Sequence, residues 1–306
     1  MEECKVLAVI VTYNRLDLLR ECLDAVQNSE CGSACLETLV VDNASTDGTD
    51  IYVQQYQTDH SGVFYARLQR NIGGAGGFCE GIRYGLQGEY DYFWLMDDDT
   101  IVRKESLDKL LRAADLLKGE FGYLASQALW TDGNPSMMNE VRLLEKNWSQ
   151  YHDKIAAGLF PIQRATFVSL LLNVNAVKRV GLPIKEFFIW SDDQEYTDRI
   201  AKEYTNYYVA DSLVVHKMLK NIGSDIATDD ESRLMRYRYA FRNEYYIASR
   251  SGQKAKRQYY WRVLCAMRHI LKKAENKRLM RMRIIIQGVL QGWRFHPGIE
   301  KWDNIS

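Results

Sequence analysis

Three consecutive carboxylates, Asp97-Asp98-Asp99, end the apolar run Tyr92-Phe93-Trp94-Leu95-Met96. A short apolar run bounded by charge reads as a buried strand. The acids then sit where that strand leaves its sheet, which in an open α/β sheet is the ligand-binding edge. Carboxylates this close raise one another's pKa unless a cation lies between them, and oxygen ligation suits Mg²⁺ or Mn²⁺ better than zinc. On its own the triplet reads equally as a solvated acidic turn. A second acidic pair, Asp192-Asp193, follows Phe187-Phe188-Ile189-Trp190-Ser191. With Phe188 and Trp190 as apolar neighbours, one of two adjacent carboxylates can be raised toward useful basicity. The competing reading is a helix N-terminus, with Ser191 as cap and both acids in the first turn. His216 closes the run Leu213-Val214-Val215 and, taken alone, reads as a half-buried histidine.

These residues need a scaffold. Val6 to Thr12 is continuously apolar, as a strand covered on both faces should be. Leu19, Cys22, Leu23 and Val26 recur at helical spacing, which predicts a helix over Arg15 to Gln27. Further strands are predicted at Leu36 to Val41, Val63 to Leu68, Tyr92 to Met96, Tyr123 to Trp130 and Phe167 to Leu172, with helices between them. Alternation of this kind means an α/β fold with a doubly wound, mainly parallel sheet. Thr131 to Arg164 is polar and weakly periodic, a long loop of the kind that faces substrate. From Arg233 onward three basic, aromatic-rich helices are expected.

The chain has 306 residues, 46% of them hydrophobic, and a formal net charge of zero. That balance hides an asymmetry: residues 250–306 hold fourteen Lys and Arg against three acids, a net of +11, and residues 1–249 carry −11. An acidic body with a basic tail suggests a polyanion-seeking or membrane-seeking extension. No run of eighteen apolar residues exists, so no membrane span is expected. Met1-Glu2-Glu3-Cys4-Lys5 lacks a basic leader, which predicts a cytoplasmic location. The six cysteines show no paired CxxC spacing and read as reduced thiols rather than a zinc site.

Two motif readings fail on inspection. The cluster Asn71-Ile72-Gly73-Gly74-Ala75-Gly76-Gly77 does not fit GxGxxG, because Cys79 occupies the third glycine position when counting starts at Gly74. Gly73 and Gly74 can still let the backbone approach a phosphate or sugar at a helix N-terminus. Asp97 onward is not an EF-hand, since Ile101 stands at the fifth position and no glycine at the sixth.

Taken in order, Ile10-Val11-Thr12-Tyr13-Asn14-Arg15, Val40-Val41-Asp42-Asn43-Ala44-Ser45-Thr46-Asp47-Gly48-Thr49, the glycine cluster and Trp94-Leu95-Met96-Asp97-Asp98-Asp99 resemble the inverting family 2 glycosyltransferases of the GT-A fold. The branch they most resemble is the galactofuranosyltransferase and rhamnosyltransferase-like group. The resemblance covers about residues 5–218. It implies that Thr12, Arg15, Asp42 and Asn71 line a nucleotide pocket, with Asp42 accepting from a uracil or thymine ring N–H. It implies that Asp97, Asp98 and Asp99 form a DxD element holding ribose and a divalent ion, and that His216 is a third protein ligand. Asp192-Asp193-Gln194-Glu195-Tyr196 resembles the segment that supplies the base, with Ser191 as one extra residue after Trp190, so Asp193 is the expected base and Asp192 its rival.

The expected organisation is a catalytic domain over 1–218, a mobile loop over 219–232 and a basic helical extension over 233–306. The expected activity is metal-dependent sugar transfer from a nucleotide sugar, most of all UDP-galactofuranose, to a glycan or lipid-linked acceptor in bacterial cell-surface polysaccharide synthesis. dTDP-rhamnose is the alternative donor. A non-catalytic nucleic-acid-binding protein is the rival from another class, suggested by the Arg, Tyr and Trp of the tail. The extension is expected to dock on the cytoplasmic face of an anionic membrane, using basic residues from Arg257 to Arg283, Arg281 among them, with Tyr259, Trp261, Ile284, Ile285 and Trp293. Its competing use is a helical cap packed on the catalytic domain or on a second subunit.

Overall fold

A computed structural model describes residues 4–145 and 147–302. The leader segment Met1 to Glu3 and the last four residues of the expected extension lie outside the described residues. Four parallel strands open the chain: β1 (Lys5–Thr12), β2 (Cys35–Asp42), β3 (Val63–Arg67) and β4 (Tyr92–Asp97), with α1 (Leu16–Gln27), α2 (Thr49–Asp59) and α3 (Gly73–Gly85) as crossovers. β5 (Thr100–Val102), α4 (Ser106–Leu116) and β6 (Tyr123–Leu129) follow. The stretch expected as one long loop contains β7 (Arg142–Leu143), α5 (His152–Ala156) and β8 (Leu159–Arg164). Then come β9 (Leu170–Asn173), α6 (Val174–Val180), α7 (Asp192–Ile200) and β10 (Asn206–His216). Three helices complete the chain: α8 (Glu231–Arg250), α9 (Gln253–Lys273) and α10 (Arg278–Arg294).

All ten strands form one sheet in the order β3-β2-β1-β4-β9-β6-β10-β8-β7, with β5 paired to β10. Its first half is parallel, and β6 and β10 are parallel to each other. β9 runs antiparallel between β4 and β6, and β5 and β8 run antiparallel to β10, so the second half is mixed in strand direction. The apolar run of β9 is alike in composition whichever way it points, because both of its faces are covered. β10 is also longer than the run at Leu213 suggested: it begins at Asn206 and shifts register between Val209 and Leu213.

β1 shows why its run is continuously apolar. Val6, Ala8 and Ile10 enter one core with Leu19, Leu23, Val53 and Leu110 of the helices on that face. Leu7, Val9 and Val11 enter the other, with Phe78 and Ile82 of α3, Val177 of α6 and Tyr196 of α7. The glycines of α3 serve this second layer more than any ligand. A Cβ at Gly77, Gly81 or Gly85 would stand 2.5, 2.4 or 2.5 Å from Val11, Val9 or Phe93, so the bare stripe lets the helix backbone lie against the sheet. Gly74 differs, with nothing within 4 Å of an added Cβ.

The C-terminal helices have their own core, including Leu234, Tyr259, Ile270, Ile284 and Ile285. α8 also reaches the α/β body, where Tyr246 packs with Phe187, Ile184 and Ala75. Within the polar segment 219–232, Ile226 and Ala227 are buried and the buried Arg281 donates to the carbonyls of Ile226 and Asp229 at 2.6 and 3.1 Å. The second half of that segment is therefore pinned. Arg281, Tyr259, Ile284 and Ile285, expected on a membrane-facing surface, are interior: α10 lies close on α8 at Gly288 and Gly292, Ile284 and Ile285 enter the core of the three helices, and Tyr259 of α9 donates to the Phe241 carbonyl of α8 at 2.9 Å.

Overpacking a tight contact of this kind costs about 1–3 kcal/mol. Gly81→Ala should therefore lower the urea midpoint, whereas Gly74→Ala, which adds a better helix former to open space, should hold or raise it. An unchanged midpoint for Gly81→Ala would show that α3 does not ride this closely on the sheet.

Candidate active site

Because β1 and β4 are parallel neighbours with Val11 beside Asp97, their C-terminal ends bring Thr12 and the three acids together. Thr12 Oγ1 donates to Asp98 Oδ2 at 2.8 Å. The Arg15 guanidinium, from the turn entering α1, donates to Asp98 Oδ1 at 3.2 Å and Asp99 Oδ2 at 2.7 Å. The β5–β10 pairing sets His216 opposite Thr100, and His216 Nε2 lies 3.0 Å from Asp99 Oδ1. Ligand atoms of Asp97, Asp99 and His216 all lie within 4.8 Å of one another.

The charges are unevenly settled. Burial pushes the Asp97 carboxyl well up, and Asp99 adds to it. Burial also raises Asp98, to about 6, against the pull of Arg15. Asp99 is held below the ordinary range: its burial is outweighed by the closeness of His216 and Arg15. His216 is raised, since Asp99 and then Asp97 more than offset its burial.

Asn139, from the stretch read as loop, governs the histidine. His216 Nδ1 is 2.7 Å from Asn139 Oδ1. The same amide meets Ser136 Oγ through Oδ1 at 2.6 Å and Thr166 Oγ1 through Nδ2 at 2.9 Å. With Oδ1 turned to the ring, Nδ1 carries the proton and Nε2 faces the carboxylate. In a neutral ring that sets a lone pair against Asp99 Oδ1, a buried oxygen with no aligned hydrogen-bond donor. A metal-ligating histidine is oriented in this way by a partner on its far nitrogen. Two carboxylates, one imidazole and an orphaned oxygen fit a divalent cation.

A second group surrounds the glycine loop. Asp42 is fully buried, its oxygens taking the Ser45 N–H at 2.8 Å and the Tyr65 hydroxyl at 2.6 Å, so a base N–H would share it with the chain's own donors. Asn71 Oδ1 accepts from Gly73 N at 2.8 Å. Gly73 has φ 79°, and its Cβ position is filled by the Phe188 carbonyl; Gly74 is the glycine open to a ligand. Asn43, just past the end of β2, ties this loop to that strand: it accepts from Ile72 N at 3.2 Å and donates to Gly73 O at 3.3 Å.

Asp192 and Asp193 form a third group at the start of α7. Ser191 stands at the cap position but in left-handed backbone, φ 65°, and makes no side-chain cap bond. Burial raises both carboxyls; Asp193 raises Asp192 further, while the Gln194 N–H and Arg164 draw Asp193 back. Asp192 is buried and Asp193 half-buried. The carbonyl of Phe188, just before this pair, accepts from Ala75 N at 3.2 Å and so joins the third group to the second.

Residues 7–119 match the model of glycosyl transferase family 2. The chain carries a family 2 glycosyl transferase domain. That match holds Thr12, Arg15, Asp42, Asn71 and the three acids of the transferase domain, and it ends before Asp192 and His216. The chain is 27% identical to abequosyltransferase RfbV of Salmonella typhimurium over 173 residues, 55% of this chain and 48% of that protein. It is 25% identical to galactofuranosyltransferase GlfT1 of Mycobacterium tuberculosis over 214 residues, 64% of each. The chain spans about half the length of the first curated relatives it matches. A mannosyltransferase from Pyrobaculum calidifontis, solved in complex with GDP-Man and Mn²⁺, matches with a TM-score of 0.56 at 16% identity, over 96% of this chain and 76% of that one. At that identity the likeness is one of fold, the GT-A arrangement of a mainly parallel sheet between helices.

Proposed function

We propose that the protein transfers a sugar from a nucleoside diphosphate donor to an acceptor hydroxyl, with inversion at the anomeric carbon. The observation that carries this reading is the cluster of Asp97, Asp99 and His216 at the end of β4, inside a family 2 sheet. Asp97, Asp99 and His216 would hold Mn²⁺ or Mg²⁺. When bound, such an ion stabilises negative charge on a departing diphosphate. Thr12 and Arg15 keep Asp98 and Asp99 in place, and Asn139 keeps His216 turned toward them. Asn71 and Gly74 border the donor side, where open backbone lets a phosphate or sugar come close.

Asp193 takes the proton of the acceptor hydroxyl as general base. Its half-buried position leaves it reachable, whereas Asp192 is buried. A single displacement needs no covalent nucleophile. The donor most supported is UDP-galactofuranose, through the likeness to GlfT1. dTDP-rhamnose is the alternative donor. The acceptor is a glycan or lipid-linked glycan of a surface polysaccharide. A panel of UDP- and dTDP-sugars, with the product's anomeric configuration read by NMR, tests donor and stereochemistry together. Retention of configuration would sink the mechanism.

The basic extension docks on an anionic membrane that presents the acceptor. No helix among the described residues is long and apolar enough to cross a membrane. α9 and α10 expose Trp261, Leu264, Leu271, Leu279, Ile286 and Trp293, interleaved with exposed Arg257, Arg268, Lys272, Lys273 and Arg283. Basic side chains near an anionic leaflet contribute about 1 kcal/mol each, and amphipathic aromatics suit the interface.

Asp99→Ala should abolish both transfer and Mn²⁺ binding measured by calorimetry, and Asn139→Ala should weaken Mn²⁺ affinity about 10–100-fold in a folded protein; full activity in excess EDTA would overturn the ion's role. Asp193→Asn should leave nucleotide affinity nearly intact while turnover falls roughly 10²–10⁴-fold. If Asp192→Asn is the inactive variant instead, the base is its neighbour. In liposome flotation the protein should bind vesicles containing anionic lipid, release in high salt, and fail to bind after Lys272→Glu and Lys273→Glu. Equal partitioning onto neutral vesicles would remove the electrostatic docking.

A further inference from the structure

The turn that delivers Asp192 and Asp193 has a backbone its own sequence does not favour. Phe188, Trp190 and Ser191 have φ of 66°, 65° and 65°, and none is glycine. Side chains hold such conformations only where the surroundings enforce them. The enforcement comes from α8. Asn243, fully buried, donates through Nδ2 to the carbonyls of Phe187, Ile189 and Trp190 at 3.0, 3.2 and 2.8 Å. An amide has two N–H groups, so three acceptors share them and converge on one point. Arg242 Nη2 adds bonds to the carbonyls of Glu186 and Phe187 at 2.6 and 3.0 Å. Tyr239 stacks on Phe188 with ring centroids 4.8 Å apart, and Tyr237 meets Trp190 edge-on at 4.9 Å.

The other side of the turn presses on the glycine loop. The Phe188 carbonyl takes the Ala75 N–H at 3.2 Å and occupies the space where a Gly73 Cβ would stand. α8 thus clamps the acidic turn against the N-terminal end of α3, on whose open side Gly74 lies. The position of the carboxylates relative to the donor side is set by a helix more than fifty residues further along the chain.

We propose that Asn243 is a positioning residue for glycosyl transfer, gathering the carbonyls of Phe187, Ile189 and Trp190 so that Asp193 stands within reach of the acceptor hydroxyl. This rests on the reading of Asp193 as the base. Proton transfer needs hydrogen-bond reach between base and hydroxyl, and a misplacement of about 1 Å costs on the order of 10²-fold in rate. The basic extension is then part of the active site's framework as well as a docking surface.

The test uses the full chain with Asn243→Asp, which keeps the shape but turns an oxygen toward the three carbonyls, and Asn243→Ala. Both should lower kcat per folded molecule on the order of 10- to 100-fold, leave donor KM and calorimetric nucleotide affinity close to the parent's, and move the pH profile of kcat. A merely structural role would reduce the folded fraction and leave that profile where it was. Unchanged kcat and pH profile, or nucleotide affinity lost in step with kcat, would overturn the proposal. Should both variants fail to fold, Tyr239→Ala strips the half-buried ring from Phe188 without entering the core, and a parent-like kcat and profile there overturns it equally. Asp193→Asn run alongside separates the two levels. An active Asp193→Asn removes the base reading itself, whereas an inactive one beside a normal Asn243→Asp removes only the role of Asn243.

Discussion

Setting Asp97, Asp98 and Asp99 together at the end of β4, the first half-buried and the other two buried, costs desolvation and sets like charges side by side. The surrounding chain answers each carboxylate separately. Thr12 and Arg15 serve Asp98, Arg15 and His216 serve Asp99, and Asp97 is left with the least compensation and the most strongly raised carboxyl. That arrangement fixes what must lie nearby: β1 has to end beside β4, the turn into α1 has to carry an arginine, and β10 has to return past β5 with a histidine at its last position. An orphaned oxygen on Asp99 facing a histidine nitrogen is costly in a chain by itself and is relieved by a cation.

A second constraint links packing to chemistry through α3. Its bare face at Gly77, Gly81 and Gly85 draws the helix onto the sheet, which sets the height of its N-terminal end above the strands. There Gly73 receives the carbonyl of Phe188, and the turn bearing Asp192 and Asp193 is seated against it. One helix thus serves the core along its length and the site at its start.

The C-terminal helices join these functions to a surface. α8 buries one face against Phe187, Ile184 and Ala75 and contributes to a core shared with α9 and α10. The opposite faces of α9 and α10 stay exposed, basic and aromatic. A helical cap and a docking surface are compatible because different faces of the same helices carry them.

Much of this was legible in the residues alone. Continuous apolar runs announce strands covered on both faces, and Thr12, Asp42, Asn71 and the Asp triplet each follow such a run, so their place at the carboxyl edge of a sheet follows from local pattern. His216 was legible for the same reason. What the sequence could not carry was every relation that depends on which elements become neighbours. The antiparallel course of β9 leaves no mark on Leu170 to Asn173, whose buried pattern is the same in either direction. Asn139 and Asn243 look like ordinary polar residues in a loop and a helix, yet each acts on a partner more than fifty positions away. A side chain's own chemistry states what it can donate or accept, but only the tertiary structure chooses the partner. Arg281 is the converse case: in sequence it is one more surface charge, and in the fold it is buried, donating to two backbone carbonyls of the segment that leads into α8.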